Sequence, residues 1–376
     1  MRTLLISDLH LGAALGGDLL RRGDFRERLF ASLEGVDRLV LLGDAIELRD
    51  RPLADAVELA RPFFDELGEA LDGRPLVVVP GNHDHHLLEP WLTQRRLDGA
   101  GPLGLEERAP GQHLGLLGTL AGRMPRVAVE LAYPGLWLRP GVYATHGHYL
   151  DRHLTIPTFE RLAVAAVERA LGGPPLPDED PLEAPSGPTD PDEYEQALAP
   201  VYAFLFAVAQ SATGDRVGNP TLRIWQALGG GASRSARIRG WLLGAVAVPG
   251  AVGVANRLGL GPVRADLSPG AITRAGVAAI GQVAGRLGVE AEHLIFGHTH
   301  RRGPLAGERG WSLPGGGRLW NTGSWVNSPS LLGPTAAESP YWPGTIAIVD
   351  AAGEPRLEHL LDGLSRADLD DASGSR

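Results

Sequence analysis

An unbroken apolar run, Leu76-Val77-Val78-Val79, stops at Pro80-Gly81 and leads at once into Asn82-His83-Asp84. Such short, β-branched runs read as strands buried on both faces, and Pro-Gly is a turn signal. The turn presents an amide, an imidazole and a carboxylate in consecutive positions. In an α/β protein the region just past the carboxyl ends of the strands is where ligands bind. Asn82 offers a neutral oxygen to a metal ion, and His83 can move a proton near neutral pH.

The same strand-then-ligand pattern occurs four more times. Leu4-Leu5-Ile6 leads into Asp8-Leu9-His10, and residues two apart in extended backbone share one side. Arg38–Leu42 ends on Gly43-Asp44, where Gly43 lets the backbone come close to whatever Asp44 holds. Asp44 could instead cap a helix, with Glu47 completing the box. Gly141–Thr145 delivers His146-Gly147-His148, and Glu292–Phe296 delivers Gly297-His298-Thr299-His300. Amphipathic helices are expected from about Asp24 to Leu33 and Leu53 to Leu71, giving a βαβαβ rhythm with parallel strands and right-handed crossovers. Val127–Ala132, Arg318–Thr322 and Thr345–Asp350 read as further strands, with Gly323-Ser324 a turn. Gly99–Gly122 reads as a Gly-rich loop with His113 on the surface. His85 and His86 read as solvated or as neighbours of the ligands, and Asp151 and His153 as candidates for the mouth of the same site.

Between about 150 and 290 the pattern changes. Ile156, Phe159, Leu162, Ala163, Ala166 and Val167 recur at helical spacing, and further helices are expected over Tyr194–Ala212 and Ile272–Leu287. A Pro- and acid-rich stretch from Gly172 to about Asp192 reads as irregular. Arg234, Arg237 and Arg239 precede an uncharged stretch, Gly240–Ala255, too short to span a membrane. The expected organisation is a discontinuous α/β domain over 1–150 and 290–360, a helical insertion over 151–289, and a disordered tail over 361–376.

With no Cys and no Lys, thiolate chemistry, disulfides, Schiff bases and P-loop lysines are excluded. A formal net charge of −10 disfavours nucleic acid as the main partner. The N-terminus runs straight into a strand, so a cytoplasmic address is the expectation. The strand ends together offer Asp8, His10, Asp44, Asn82, His146, His298 and His300, with His83 left over. So many nitrogen and oxygen ligands suit two ions sharing a carboxylate, and Mn²⁺, Fe or Zn²⁺ is the expected pair.

The ordered set resembles the calcineurin-like metallophosphoesterase family, whose signature runs DxH, GDxxE/D, GNHD/E, H and GHxH. Here these are Asp8-Leu9-His10, Gly43-Asp44-Ala45-Ile46-Glu47, Gly81-Asn82-His83-Asp84, His146 and Gly297-His298-Thr299-His300. The resemblance spans about 1–150 and 290–350 and implies a four-layer α/β/β/α sandwich with the site at the strand ends. It implies that Asp8, His10, Asp44 and His300 hold one ion, that Asp44, Asn82, His146 and His298 hold the other, and that His83 is the leaving-group acid, oriented by Asp84. Hydrolysis of a phosphomonoester, phosphodiester or pyrophosphate by a hydroxide bridging the ions would result. Ile6-Ser7-Asp8-Leu9-His10-Leu11-Gly12 and the insertion are similar to the UDP-2,3-diacylglucosamine pyrophosphatase branch, although His148 replaces an acid there and the insertion is longer. The expected partner is a phosphorylated small-molecule or lipid-like substrate, with peripheral membrane contact. His148, Arg237 and Arg239 are candidate substrate contacts. A nuclease and a non-catalytic binding scaffold are the competing classes, and the oligomeric state is left open.

Overall fold

Parallel pairing of three short apolar strands sets the frame. In this computed structural model, which describes the chain except residues 15, 157, 171–186, 212–252, 254–255, 258–262, 265, 267, 333–337 and 371–376, β1 (Thr3–Ile6) pairs with β2 (Arg38–Leu42), and β2 with β3 (Leu76–Val79). Every residue of the three is buried, as uninterrupted apolar runs require. The crossovers are helices α1 (Gly23–Ala31) and α2 (Leu53–Leu71). Helix α2 buries Ala56, Ala60, Phe63, Phe64, Leu67 and Leu71, a stripe of helical period.

The register carries the site. Ile6 lies opposite Leu41 and Leu42 opposite Val79, so β1, β2 and β3 end along one edge of the sheet. Asp8, Asp44 and Asn82 therefore emerge side by side. A second group runs likewise: β6 (Val142–Thr145), β7 (His293–Phe296) and β9 (Arg318–Thr322) are parallel neighbours, and His146 and His298 come just after the ends of β6 and β7.

One long strand joins the two groups. β5 (Val129–Arg139) pairs with β3 through its first residues and with β6 through its last. The result is a curled eleven-stranded sheet in the order β11-β10-β1-β2-β3-β5-β6-β7-β9-β8. Here β8 is Arg302–Gly303, β10 Thr345–Val349 and β11 Arg356–His359. Leu5, Val40, Leu42, Val77 and Val79 from one half share a buried cluster with Val142, Ala144, Ile295 and Trp320 from the other. The halves thus face each other across one apolar core, the α/β sandwich expected.

The Gly99–Gly122 stretch is not a loop throughout. It holds β4 (Glu106–Pro110), which pairs with β5 alone, and α4 (Gly115–Ala121). β4 reads as no strand in the sequence because its residues are Glu-Glu-Arg-Ala-Pro. Its stabilisation is cross-strand, as in the Arg108 bond to Glu130 at 2.8 Å. The tail differs from expectation too: Arg366–Asp370 is a short helix. Ser365 and Asp368 exchange hydrogen bonds in a capping box, and Leu369 is fully buried.

The chain divides into two compact units, Met1–His148 with Leu205–Val217 and Val289–Arg376, and Tyr149–Phe204 with Gly218–Gly288. The second contains α5 (Phe159–Ala170), most of α6 (Pro191–Gln210) and α7 (Pro269–Arg286). Tyr149 stacks on Tyr194 there, and the Tyr149 hydroxyl donates to Glu195 at 2.8 Å. Among the described residues no helix is long and apolar enough to cross a membrane.

Candidate metal centre

The edge where both strand groups end gathers three overlapping triads: Asp8, His10 and His300; His10, Asp44 and His83; and Asp44, His146 and His298. Within each, ligand atoms lie within 4.8 Å of one another. Asp44 is central. Its Oδ2 lies 3.6 Å from His10 Nε2 and 3.3 Å from His146 Nε2. On one side His300 Nε2 approaches Asp8 Oδ1 at 3.3 Å and His10 Nε2 at 3.1 Å. On the other, Asn82 Oδ1 lies 3.3 Å from His146 Nε2 and 3.1 Å from His298 Nδ1.

The backbone reaches this geometry by strain. Asp8 (φ 54°), His10 (45°), Asp44 (52°), His298 (66°) and His300 (57°) are all left-handed, and Asp72 is the one other described non-glycine residue with positive φ. Each such residue costs about 1–2 kcal/mol. The expectation that Asp8 and His10 converge through extended backbone is therefore corrected, since left-handed turns at both residues bring the side chains together. Gly43 (φ 88°) answers a related demand, because a Cβ there would collide with the His146 ring.

Hydrogen bonds fix which ring nitrogens face inward. His146 Nδ1 donates to the Leu42 carbonyl at 2.9 Å, which leaves Nε2 for the centre. His10 Nδ1 bonds Glu47 Oε2 at 2.9 Å, with the same effect. His146 Nε2, Asp44 Oδ2 and Asn82 Oδ1 then meet lone pair to lone pair, an arrangement that a cation satisfies. Turning the Asn82 amide over offers a cation-free alternative. Its nitrogen would donate to Asp44 Oδ2 at 3.2 Å and its oxygen accept from Arg49 at 2.8 Å.

The electrostatics make the same demand for positive charge. Burial pushes His10 and His146 toward neutrality, but the Glu47 hydrogen bond and the Asp44 charge at His10, and Asp44 at His146, outweigh it. The imidazoles rise to about 9 and about 10. Burial likewise opposes ionisation of Asp44, yet the His146 and His83 rings hold it well below the usual carboxylate range. With no ion, protons take the place of one. The donor set of imidazoles, carboxylates and one amide oxygen fits divalent transition metals.

His83 is left outside the two outer triads. Its Nδ1 lies 2.6 Å from Glu47 Oε2, and its backbone N–H donates to Asp44 Oδ1 at 2.8 Å. The expectation that Asp84 orients His83 is corrected here. Asp84, fully buried, accepts N–H groups from Gly81 (2.6 Å), Ala45 (2.7 Å) and Asp44 (3.3 Å), so it ties the loops after β2 and β3 together. Burial and the Asp44 charge raise it to about 6. The carboxylate on His83 is Glu47. No helix starts at Asp44, so the capping-box reading of Asp44 and Glu47 gives way as well. The acid that closes the second motif, Glu47 after Gly43-Asp44, was the signal for this role.

The remaining candidates lie elsewhere. His148 is 2% exposed, with Nε2 3.1 Å from the Tyr133 hydroxyl, behind His146 and away from open surface. A substrate contact there is not supported. His85 is buried against Tyr133 and is not solvated, and His86 stacks on Phe206. His153 bonds the Tyr194 hydroxyl at 2.6 Å within the second unit. Arg234, Arg237 and Arg239 lie outside the described residues, with all of 240–255 but Gly253. Ser7, Asn321 and Thr322, which read only as strand ends, prove to touch the site.

Residues 1–177 match the family model for calcineurin-like phosphoesterases. No curated protein matches the chain. Among solved structures, a cold-active protein-tyrosine phosphatase of a psychrophile, Shewanella SP., is similar over 93% of this chain and 75% of that one, at 11% identity and a TM-score of 0.29, too distant to bear on the fold. The family match and the Asp/His triads support the calcineurin-like phosphoesterase superfamily for this chain, and the protein is an enzyme of that metal-dependent, phosphate-ester-hydrolysing class.

Proposed function

We propose that the protein is a dinuclear phosphohydrolase in which Asp8, His10, Asp44 and His300 hold one divalent ion and Asp44, Asn82, His146 and His298 the other. The observation that carries this reading is Asp44 Oδ2 lying between the His10 and His146 nitrogens at 3.6 and 3.3 Å. When bound, two such ions supply Lewis acidity toward a phosphoryl group and toward water. The chain's own contribution begins with charge: Asp8 and Asp44 cancel part of the ions' charge and leave the site attractive to a phosphate. His83, not required as a ligand, donates a proton to the departing oxygen. Glu47 orients the His83 ring by its bond to Nδ1, so that Nε2 is the nitrogen that carries the transferable proton. Asp84 keeps the two ligand loops in register.

The substrate is a phosphorylated small molecule. The lipid-linked pyrophosphate reading rests on the residues 6–12 pattern and is the second choice. Metal analysis of purified protein should give two transition-metal ions per chain. A panel of phosphomonoesters, a chromogenic phosphodiester, a nucleoside-diphosphate conjugate and single-stranded DNA should show turnover of one of the first three. One ion per chain would sink the dinuclear assignment, and preferred cleavage of DNA would replace the substrate class by the nuclease one.

A further inference from the structure

Asp8 is built into the site from behind by residues that the mechanism does not use. Ser7 and Thr322 are each 1% exposed or less, and so is Asp8. Ser7 Oγ makes a short hydrogen bond to Asp8 Oδ2 and lies 2.6 Å from Thr322 Oγ1. Thr322 Oγ1 in turn lies 3.2 Å from the Phe296 carbonyl. Each hydroxyl has one proton to give. At 2.6 Å one proton must lie between the two hydroxyls. The carboxylate can only accept, so Ser7 donates to Asp8, and the Thr322 proton goes to Ser7 in preference to the Phe296 carbonyl, its more distant acceptor at 3.2 Å. A relay of this kind strengthens each bond in it.

The consequence is that Asp8 offers one oxygen. Both oxygens share the His298 backbone N–H, Oδ2 at 3.0 Å and Oδ1 at 3.1 Å, but Oδ2 is also engaged by Ser7, while Oδ1 points at His300 Nε2, 3.3 Å away. Gly297 closes the arrangement. A Cβ there would lie 2.5 Å from Ser7 Oγ and 2.6 Å from Asp8 Oδ2, so only glycine lets the loop pack this closely against the pair. The clamp also spans the sheet. β1 pairs with β2 and β10, whereas β9 pairs with β7 and β8, so Ser7 and Thr322 come from opposite halves. Beside Thr322, Asn321 Nδ2 donates to the Gly297 carbonyl at 2.8 Å and to Thr299 Oγ1 at 3.0 Å. This fixes the loop that carries His298 and His300.

We propose that Ser7 and Thr322 form a hydroxyl relay that positions Asp8 to present a single oxygen to a divalent ion, and that Asn321 holds the opposing histidine loop. The proposal rests on the dinuclear reading and deepens it. Its test is titration of the metal-stripped full chain with Mn²⁺ and, separately, Zn²⁺, measured calorimetrically, with circular dichroism as the control for folding. Ser7→Ala should weaken one of the two binding events by roughly 10–100-fold and leave the other within a few-fold of wild type. Thr322→Val should weaken the same event, Thr322→Ser should restore it, and the Ser7→Ala/Thr322→Val double variant should bind no more weakly than Ser7→Ala alone, because one relay is broken once. Additive losses, or wild-type affinity for both ions in Ser7→Ala, would overturn the relay while leaving the dinuclear centre intact. Should Ser7→Ala not fold, Thr322→Val against Thr322→Ser decides, and equal affinities overturn the relay. A wild type that binds neither ion removes the metal centre and the relay with it.

Discussion

The two halves of the curled sheet meet at one edge but bring different chemistry to it. The half built from β1, β2 and β3 supplies every carboxylate and the amide, Asp8, Asp44 and Asn82, with Glu47 and Asp84 behind them, together with the His10 and His83 rings. The half built from β6, β7 and β9 supplies imidazoles: His146, His298 and His300. The first half is tied to itself, with Asp84 holding three backbone N–H groups of its own loops and Glu47 joining His10 to His83. The second leans on the first, through His146 on the Leu42 carbonyl and the His298 N–H on Asp8. Fixed negative charge is thus assembled on a self-supporting frame, and neutral ligands are hung from it. A cation is the component that both halves want.

Breaking the charged half at its centre should have the largest effect. Asp44→Asn removes the one carboxylate within reach of both imidazole sets. It should lose both ions by elemental analysis and lower turnover by on the order of 10⁴-fold. Retention of either ion at wild-type occupancy would show that the halves do not depend on Asp44 for joining. Next comes a residue of the charged half that binds no ion in this scheme. His83→Ala should keep both metals and lose roughly 10²–10⁴-fold in rate, with the loss shrinking for nitrophenyl esters, whose leaving group needs no proton. Equal losses for good and poor leaving groups would exclude the acid role.

Glu47→Gln sharpens the contrast between self-supported and leaning loops. It keeps the shape but removes the charge shared by the His10 and His83 rings, so metal affinity or rate should fall by about 10–100-fold. Calorimetry and steady-state kinetics would separate the two, and no change in either would make Glu47 a spectator. The smallest effect is a pH dependence. His10 at about 9 and His146 at about 10 lie above the unfolded value near 6.5, so the metal-free folded protein binds more protons than the unfolded chain between these values. Their contribution is fully present below about pH 6.5 and is lost as pH rises through about 9 to 10. The melting temperature of stripped protein should therefore fall between about pH 7 and 10, while protein saturated with metal should resist the fall. Parallel melting curves for the two forms would contradict the proton-for-metal exchange.

Most of the frame was legible from runs such as Leu76–Val79, because a strand buried on both faces leaves an apolar signature and its ligand comes directly after it. Asp8, Asp44, Asn82, His146 and His298 could be ordered this way, since each lies just past a strand. What could not be read was anything held by cross-strand pairing or by backbone conformation. β4 is a strand because Glu106–Pro110 pair along β5, not because their residues prefer extension. The left-handed conformation of five ligand-bearing residues has no marker in a sequence where none of them is glycine. Glu47, Ser7 and Thr322 reveal their partners only once β1, β2 and β9 are placed in space.

That β5 serves both halves has a consequence for synthesis. When β6 has left the ribosome, β1, β2 and β3 with their carboxylates and His146 have been made, but β10, the second partner of β1, has not, and the partner of β6 on its other side, β7, comes roughly 150 residues later, on the order of ten seconds of elongation. Throughout that interval the growing chain carries an open strand edge and a ligand set without His298 or His300. A metal ion cannot template the early steps with its full shell, and a chaperone that shields the β6 edge would act in this interval. Ribosome-bound chains stalled before and after His300 would differ most in their solubility and in their capacity to retain metal.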